Sequence, residues 1–398
     1  MSLVLRGLRG RGGKLPEAVS TVNGLARRAR AFGYASAMAT LLAACPVTFH
    51  DVPNESFEDW PEYLGAASRA VTALESIDSA PRRVWKTEAG RGTVGAVALA
   101  GRLAAIATVD RWIYLLDART GRLYWRYRGT EPFGAGPVIS RGTLFAGAEG
   151  ANGGVVAVHL RTGRRRWFSR LGDTPAALTA RDSSVYGSTS TGLIFALDRT
   201  TGRRRWVRQL GRVSASPLLI GDALAVVSLS DSLFILDAAT GLVRSRRPAG
   251  GAAASPLALA GTLAVANLPS GAIAAFDPAA SGSVWRVETG AFLGGSPAVW
   301  QDTVFALSTR CVLWRVPLSA PADARPLDLG CGATRATPGL TRDGVLVATV
   351  AGNVAHYDRA TGRLLWTRPA GGELRQPPSV RHGQIVIAPV LGPVVSFR

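Results

Sequence analysis

The sequence predicts an all-β fold, an eight-bladed β-propeller of four-stranded blades spanning residues 57–398. Three observations predict it. One phrase recurs along the chain: an apolar strand, Asp, two or three residues, Thr-Gly, three residues, Trp. Its period is close to 40 residues. Each period holds four short apolar runs separated by turn residues. A period of that length with four short strands is one propeller blade.

The phrase is clearest over residues 115–125, with Asp117, Thr120, Gly121 and Trp125. It returns at Asp198, Thr201, Gly202 and Trp206, and at Asp358, Thr361, Gly362 and Trp366. Weaker copies centre on His159, Asp237 and Asp277. The Trp slots fall at Trp85, Trp125, Trp167, Trp206, Ser245, Trp285, Leu327 and Trp366, in steps of 40, 42, 39, 39, 40, 42 and 39. Ser245 and Leu327 mark two repeats that have lost the indole.

Within one repeat, residues 211–220 read as the innermost strand, with Ser216-Pro217. Residues 223–228 form a nearly unbroken apolar run, as a strand buried on both faces requires. Residues 232–237 form the third strand. Asp237 to Gly241 is the turn, where Asp bonds the turn backbone and Gly takes positive φ. Leu242 opens the outer strand. After Trp366 the chain supplies only three strands, near residues 378–380, 385–387 and 394–397. The missing fourth is the strand around Trp85, which is expected to close the last blade and hide its edge.

Composition narrows the function classes. Of 398 residues 47% are hydrophobic and 18% charged, a globular balance. No internal apolar run reaches membrane-spanning length. The formal charge is +19; residues 1–44 hold seven cations and one acid, so +13 remains beyond them. Lys occurs only at positions 14 and 86, and the scattered arginines read as a solvated basic surface rather than a nucleic-acid patch.

The N-terminus reads as an address. Arg27-Arg28-Ala29-Arg30 precedes the small, apolar run 31–44, which ends in Leu42-Ala43-Ala44-Cys45. A basic region, a short apolar region and a small-residue cleavage site make a secretory signal. Leu-Ala-Ala-Cys resembles the lipobox of bacterial lipoproteins, which implies a signal peptide over 1–44 and a lipidated Cys45 as the first mature residue. The basic region begins only after 26 residues, so translation is expected to start downstream, at Val22. Pro46 rather than Asp follows the Cys; by resemblance to lipoprotein sorting this implies the outer membrane, facing the periplasm. Residues 45–56 read as a tether.

Cys311 and Cys331 flank a predicted hairpin of residues 312–317 and 325–329 about a turn near Pro321. They therefore face each other just beyond the strand ends, and a disulfide is expected in an oxidising compartment.

The lead-in Trp60-Pro61-Glu62-Tyr63-Leu64-Gly65, followed by the repeats, resembles pyrroloquinoline-quinone-like repeat propellers. In that family the repeated Trp docks on the turn glycine of a neighbouring blade. The resemblance implies structural docking for Trp85, Trp125, Trp167, Trp206, Trp285 and Trp366, with Gly121, Gly163, Gly202, Gly241 and Gly362. Some members of that family are quinoprotein dehydrogenases. The inner segments of the ring carry no Asp, Glu or Asn to hold a quinone's calcium, and no adjacent Cys pair exists. Arg335 and Arg375 are the charged residues expected near the axis, either holding an anion or facing solvent. The four His show no metal spacing. No catalytic, metal or cofactor site is expected. With the lipobox, the chain is similar to BamB-type lipoproteins. That resemblance implies a monomeric, non-catalytic scaffold for protein partners, the barrel-assembly subunits, held to the membrane by its lipid and binding no nucleic acid. The alternatives are a small quinoprotein oxidoreductase or a ligand-sensing propeller.

Overall fold

The computed structural model describes residues 51–52, 60, 63–65, 76–77, 79–93, 95–213, 215–251, 255–280 and 282–398. The expected signal, Cys45 and most of the tether lie outside these residues, as do Ser214 and residues 252–254. Among the described residues, no helix is long and apolar enough to cross a membrane.

Eight four-stranded antiparallel sheets form a propeller ring. Blade 1 runs Ala98–Ala100, Leu103–Ala107, Trp112–Asp117 and Leu123–Arg128. Blade 2 runs Val138–Ser140, Thr143–Ala148, Gly154–His159 and Arg165–Arg170. Blades 3 to 7 repeat the order, and their outer strands are Arg204–Gln209, Val243–Pro248, Ser283–Glu288, Arg325–Asp328 and Leu364–Pro369. Blade 8 combines Ser379–Arg381, Gln384–Ile387 and Val394–Phe397 with Arg83–Thr87 from the N-terminal side. There Trp85 pairs with Ser396 and Thr87 with Val394. The main chains of Arg82 and Arg398 exchange hydrogen bonds of 2.8 and 2.9 Å. The ring is thus closed by backbone bonds at the expected place.

The middle strands are buried on both faces, because neighbouring blades cover them, except that Val312–Pro317 in blade 6 is half-buried. The outer strands are half exposed, and the Trp of the repeat is their buried residue in blades 2 and 3. One local feature aims that Trp. The third and outer strands lose register by one residue at the same point in each regular blade: Leu115 pairs with Trp125, but Leu116 pairs with Leu123. The same shift occurs in blades 2, 3, 4, 5 and 7. A bulge adds one residue and turns the strand locally. Blade 6 lacks it, and its pairing runs unbroken from Val312–Asp328 to Arg315–Arg325.

Trp60 lies at the axis. Its backbone exchanges hydrogen bonds of 2.7 and 2.8 Å with Ile139, on the free edge of blade 2's innermost strand. Its side chain is buried, as is Leu64. The sequence placed Trp60 only in a lead-in; nothing in the repeat period marks it as a residue that packs inside the ring.

Candidate functional site

The recurring phrase is a junction between blades. In its turn, Asp Oδ1 accepts main-chain N–H groups two and three residues on, as at Asp117 from Arg119 and Thr120. Asp Oδ2 takes the side chain of the bulge residue: Tyr124 onto Asp117 at 2.7 Å, Arg205 onto Asp198 at 2.7 Å, Arg244 onto Asp237 at 2.5 Å. The arginine beside them holds the Asp198 and Asp237 carboxyls down at about 2. The preceding blade then docks. The indole N–H groups of Trp85, Trp125, Trp167 and Trp206 donate to the carbonyls of Ala118, Leu160, Arg199 and Ala238, at 2.7, 2.8, 3.1 and 3.0 Å. Their rings lie so close to Gly121, Gly163, Gly202 and Gly241 that an added Cβ would stand 2.5–2.8 Å from the nearest atom. Each of these glycines has φ near +70°. A left-handed backbone under an aromatic face leaves no room for a side chain.

Trp285 and Trp366 depart from the expected docking. Both indole nitrogens are buried without a hydrogen-bond partner. The reason lies in the blade each one faces. Blade 6 has replaced the Asp turn by Pro321–Asp323, one turn of 3-10 helix. Blade 8 has no such turn, because its last two strands come from opposite ends of the chain. An indole can dock only where a turn offers a carbonyl and a glycine.

Where the Trp itself is missing, arginine and leucine divide its work. At blade 6 to blade 7, Leu327 covers Gly362, with an added Cβ only 2.8 Å from its Cγ. Arg315 supplies the donor, bonding Ala360 O at 3.0 Å and Arg359 O at 3.4 Å. At blade 4 to blade 5, Ser245 is followed by buried Arg247, which donates to Asp277 O. Arg208 bonds Gly241 O at 3.0 Å and Arg368 bonds Pro81 O at 2.8 Å. Several arginines of the basic surplus are therefore staples between blades, bound to carbonyls rather than carboxylates. No sequence signal distinguishes them from solvated arginines.

Cys311 and Cys331 are joined in a disulfide with Cα atoms 5.7 Å apart. Cys311 occupies a left-handed turn position, φ 66°, which Gly192, Gly271 and Gly352 fill in other blades. His159 takes the Asp position of blade 2, and its Nδ1 accepts from Thr162 N at 3.3 Å. His356 is buried beside Trp366, ring centres 5.4 Å apart, with Nε2 2.9 Å from Thr341 Oγ1.

Burial pushes the His356 pKa down to about 4 from an ordinary 6.5. The unfolded chain therefore takes up a proton in a pH range where the folded chain refuses it. That contribution to stability is complete above pH 6.5 and is lost as pH falls toward about 4. Denaturation midpoints measured across this window should fall with pH for the wild type and fall less for H356Q.

The loops that join successive blades share one face of the ring with the turns between second and third strands. They bond each other in most blades, for example Glu149 N to Pro132 O and Val390 N to Glu373 O, both 2.8 Å. Two axial cavities open among them. One, of about 170 Å³, is walled by Gly134, Ala135, Gly136 and Ser216. The other, of about 300 Å³, is walled by Asn267, Phe292, Ser296, Arg335 and Arg375.

The charged set near the axis is wider than Arg335 and Arg375. Glu373 pairs with Arg375 at 2.8 Å. Glu149 stands against Gly134, and burial, then Asp173, raises its pKa. These acids lie in loops outside the inner segments, Glu149 after one and Glu373 before another, and loop folding brings them back to the axis. They do not build a quinone site. Asp173 is taken up by Gly150 N at 2.9 Å and Glu373 by its arginine; Asn267 donates its amide N–H to Gly295 O at 3.2 Å and leaves its Oδ1 unpartnered, a single amide oxygen. Among the described residues no three His, Cys, Asp or Glu converge as metal ligands. The Cys pair is far from adjacent, 20 residues apart in blade 6. The residues present do not fit a calcium-bound quinone.

The family model described as outer membrane protein assembly factor BamB matches residues 71–287 and 269–396. The chain belongs to the BamB family. A search of curated protein sequences found no match. Among solved structures, BamB from Moraxella catarrhalis is 17% identical, with TM-score 0.67, covering 80% of this chain and all of that one. A computationally designed protein, Ika8, is 16% identical, with TM-score 0.70, covering 80% of this chain and all of its own. Quinohemoprotein alcohol dehydrogenase from Comamonas testosteroni is 13% identical, with TM-score 0.70, over 85% of this chain and 80% of that one. At these identities the likenesses show the fold alone. The BamB-family propeller described here has its turns and docking residues on one face and its open loops and cavities on the other.

Proposed function

We propose that this BamB-family chain is a non-catalytic scaffold, lipid-anchored through Cys45 to the outer membrane and facing the periplasm. Its partners on this reading are proteins of the barrel-assembly machinery. The observation that carries the contact surface is the loop face. Phe292 and Leu391 are 68% and 65% exposed there, with Leu229 and Val109 also exposed. Exposed apolar side chains rimmed by charges of both signs suit a protein partner. The likeness to quinohemoprotein dehydrogenases raises an oxidoreductase as the other reading, but the axial donor set does not favour it.

Affinity purification of tagged full-length protein from detergent-solubilised outer membranes tests the proposal. Wild type should bring down barrel-assembly subunits. The double variant F292S/L391S should recover at least tenfold less, with an unchanged melting temperature, because both side chains are in solvent. A wild-type preparation without those subunits would overturn the assembly role; undiminished recovery by the variant would move the contact off the loop face.

A further inference from the structure

The junction of blades 6 and 7 carries an electrostatic anomaly. Arg315 and Arg325 stand directly opposite each other across the antiparallel pair Val312–Pro317 and Arg325–Asp328. Like charges in that position repel and destabilise a sheet. A third guanidinium, Arg359, approaches from blade 7, stacked 5.0 Å over the Trp300 ring and 5.9 Å from the Phe305 centroid. It is half-buried, and desolvation lowers its pKa, with Asp343 and Asp358 opposing more weakly. Its N–H groups bond carbonyls, Thr341 O at 2.9 Å and Arg342 O at 3.4 Å. Arg315 likewise bonds only carbonyls, and its Nε is buried without a partner. Among the described residues the one ion pair here is Arg325–Asp323, at 3.9 Å and with both side chains exposed.

These groups surround one cleft. Its volume is about 330 Å³, and its walls include Phe305, Pro317, Asp323 and all three arginines. The Pro321–Asp323 turn, which stands in place of the tight Asp turn, contributes Asp323 to its wall. Within the lining three guanidiniums face one carboxylate, a surplus of two there; Asp343 and Asp358 act on Arg359 from outside the lining, less strongly than its burial. Among the described residues Arg315 and Arg359 are half-buried with no carboxylate in ion-pair contact, whereas Arg325 is exposed; an anion would relieve the cost of the two half-buried guanidiniums. A phosphate monoester carries about −1.5 to −2 at neutral pH and takes guanidinium forks on three oxygens. A single carboxylate would leave half the surplus in place.

We propose that this cleft binds a phosphomonoester, its oxygens held by Arg315, Arg325 and Arg359 and its carbon skeleton laid on Phe305 and Pro317. Titration calorimetry on the full chain with inorganic phosphate and glycerol 3-phosphate tests it. Flotation with vesicles containing phosphatidic acid, against phosphatidylcholine alone, tells a soluble ligand from a lipid headgroup. Binding in either arm should weaken at least tenfold in R325E and strengthen in D323N, while R335E, at the axis, should bind as wild type. R325E turns a repulsive cross-strand pair into an attractive one, so it should melt no lower than wild type and remain interpretable. Absence of binding in both arms, equal binding by R325E, or equal binding of succinate or an acidic peptide would overturn the assignment.

Discussion

Trp206→Ala should destabilise the ring by about 3–5 kcal/mol, the range for truncating a large buried aromatic. Trp206 is 7% exposed and packs against Tyr186, ring centroids 6.2 Å apart. Its removal opens a cavity between blades 3 and 4, uncovers Gly241 and strips the Ala238 carbonyl of its donor. A subtler pair separates packing from hydrogen bonding. Trp206→Phe loses the indole donor and should cost about 1 kcal/mol more than Trp366→Phe, since Trp366 has no acceptor to lose. Chemical denaturation of the three variants measures both effects. Equal costs for the two Phe variants would mean that the hydrogen bond to the turn contributes nothing.

The second large effect belongs to the disulfide. Opening Cys311–Cys331 releases a loop of 20 residues, worth about 3 kcal/mol in chain entropy. Blade 6 is where that tie matters most: it has no bulge, no Asp turn and no indole on its outer strand. C311A/C331A should therefore melt well below wild type. Reductant should lower the wild-type melting temperature and leave the variant unmoved. A wild type indifferent to reductant would show that the hairpin of residues 312–328 holds without its covalent tie. The same experiment bears on the phosphomonoester cleft, because that hairpin presents Arg315 and Arg325.

Much of the fold was legible because a propeller is a repeat. Period, strand count and the three-strand remainder after Trp366 require a ring of eight closed by the segment around Trp85, and the sheet order follows that logic. The docking role of the repeated Trp was legible only as a family likeness. Its failures at Trp285 and Trp366 were not. Each depends on the neighbouring blade, and a repeat read one period at a time does not show what its neighbour offers.

The candidate sites were less legible still. Glu149, Asp173 and Glu373 fall in loops outside the small-residue segments taken to line the axis, and only the folded loops return them there. Arg247 and Arg315 look like any other arginine in a basic chain. Their function as substitute donors depends on a strand and a turn from different blades meeting within hydrogen-bond reach.

What the sequence determined by itself is local and periodic. Short apolar runs set the strands, Asp–Thr-Gly set the turns, and a constant step of about 40 residues set the ring. What only the tertiary structure decided is how blades meet. Contacts there join residues about 30 to 45 positions apart, or across the chain ends as at Arg368 and Pro81. Which carbonyl receives a donor, and which guanidinium bonds carbonyls instead of a carboxylate, are properties of the closed ring and of no single repeat.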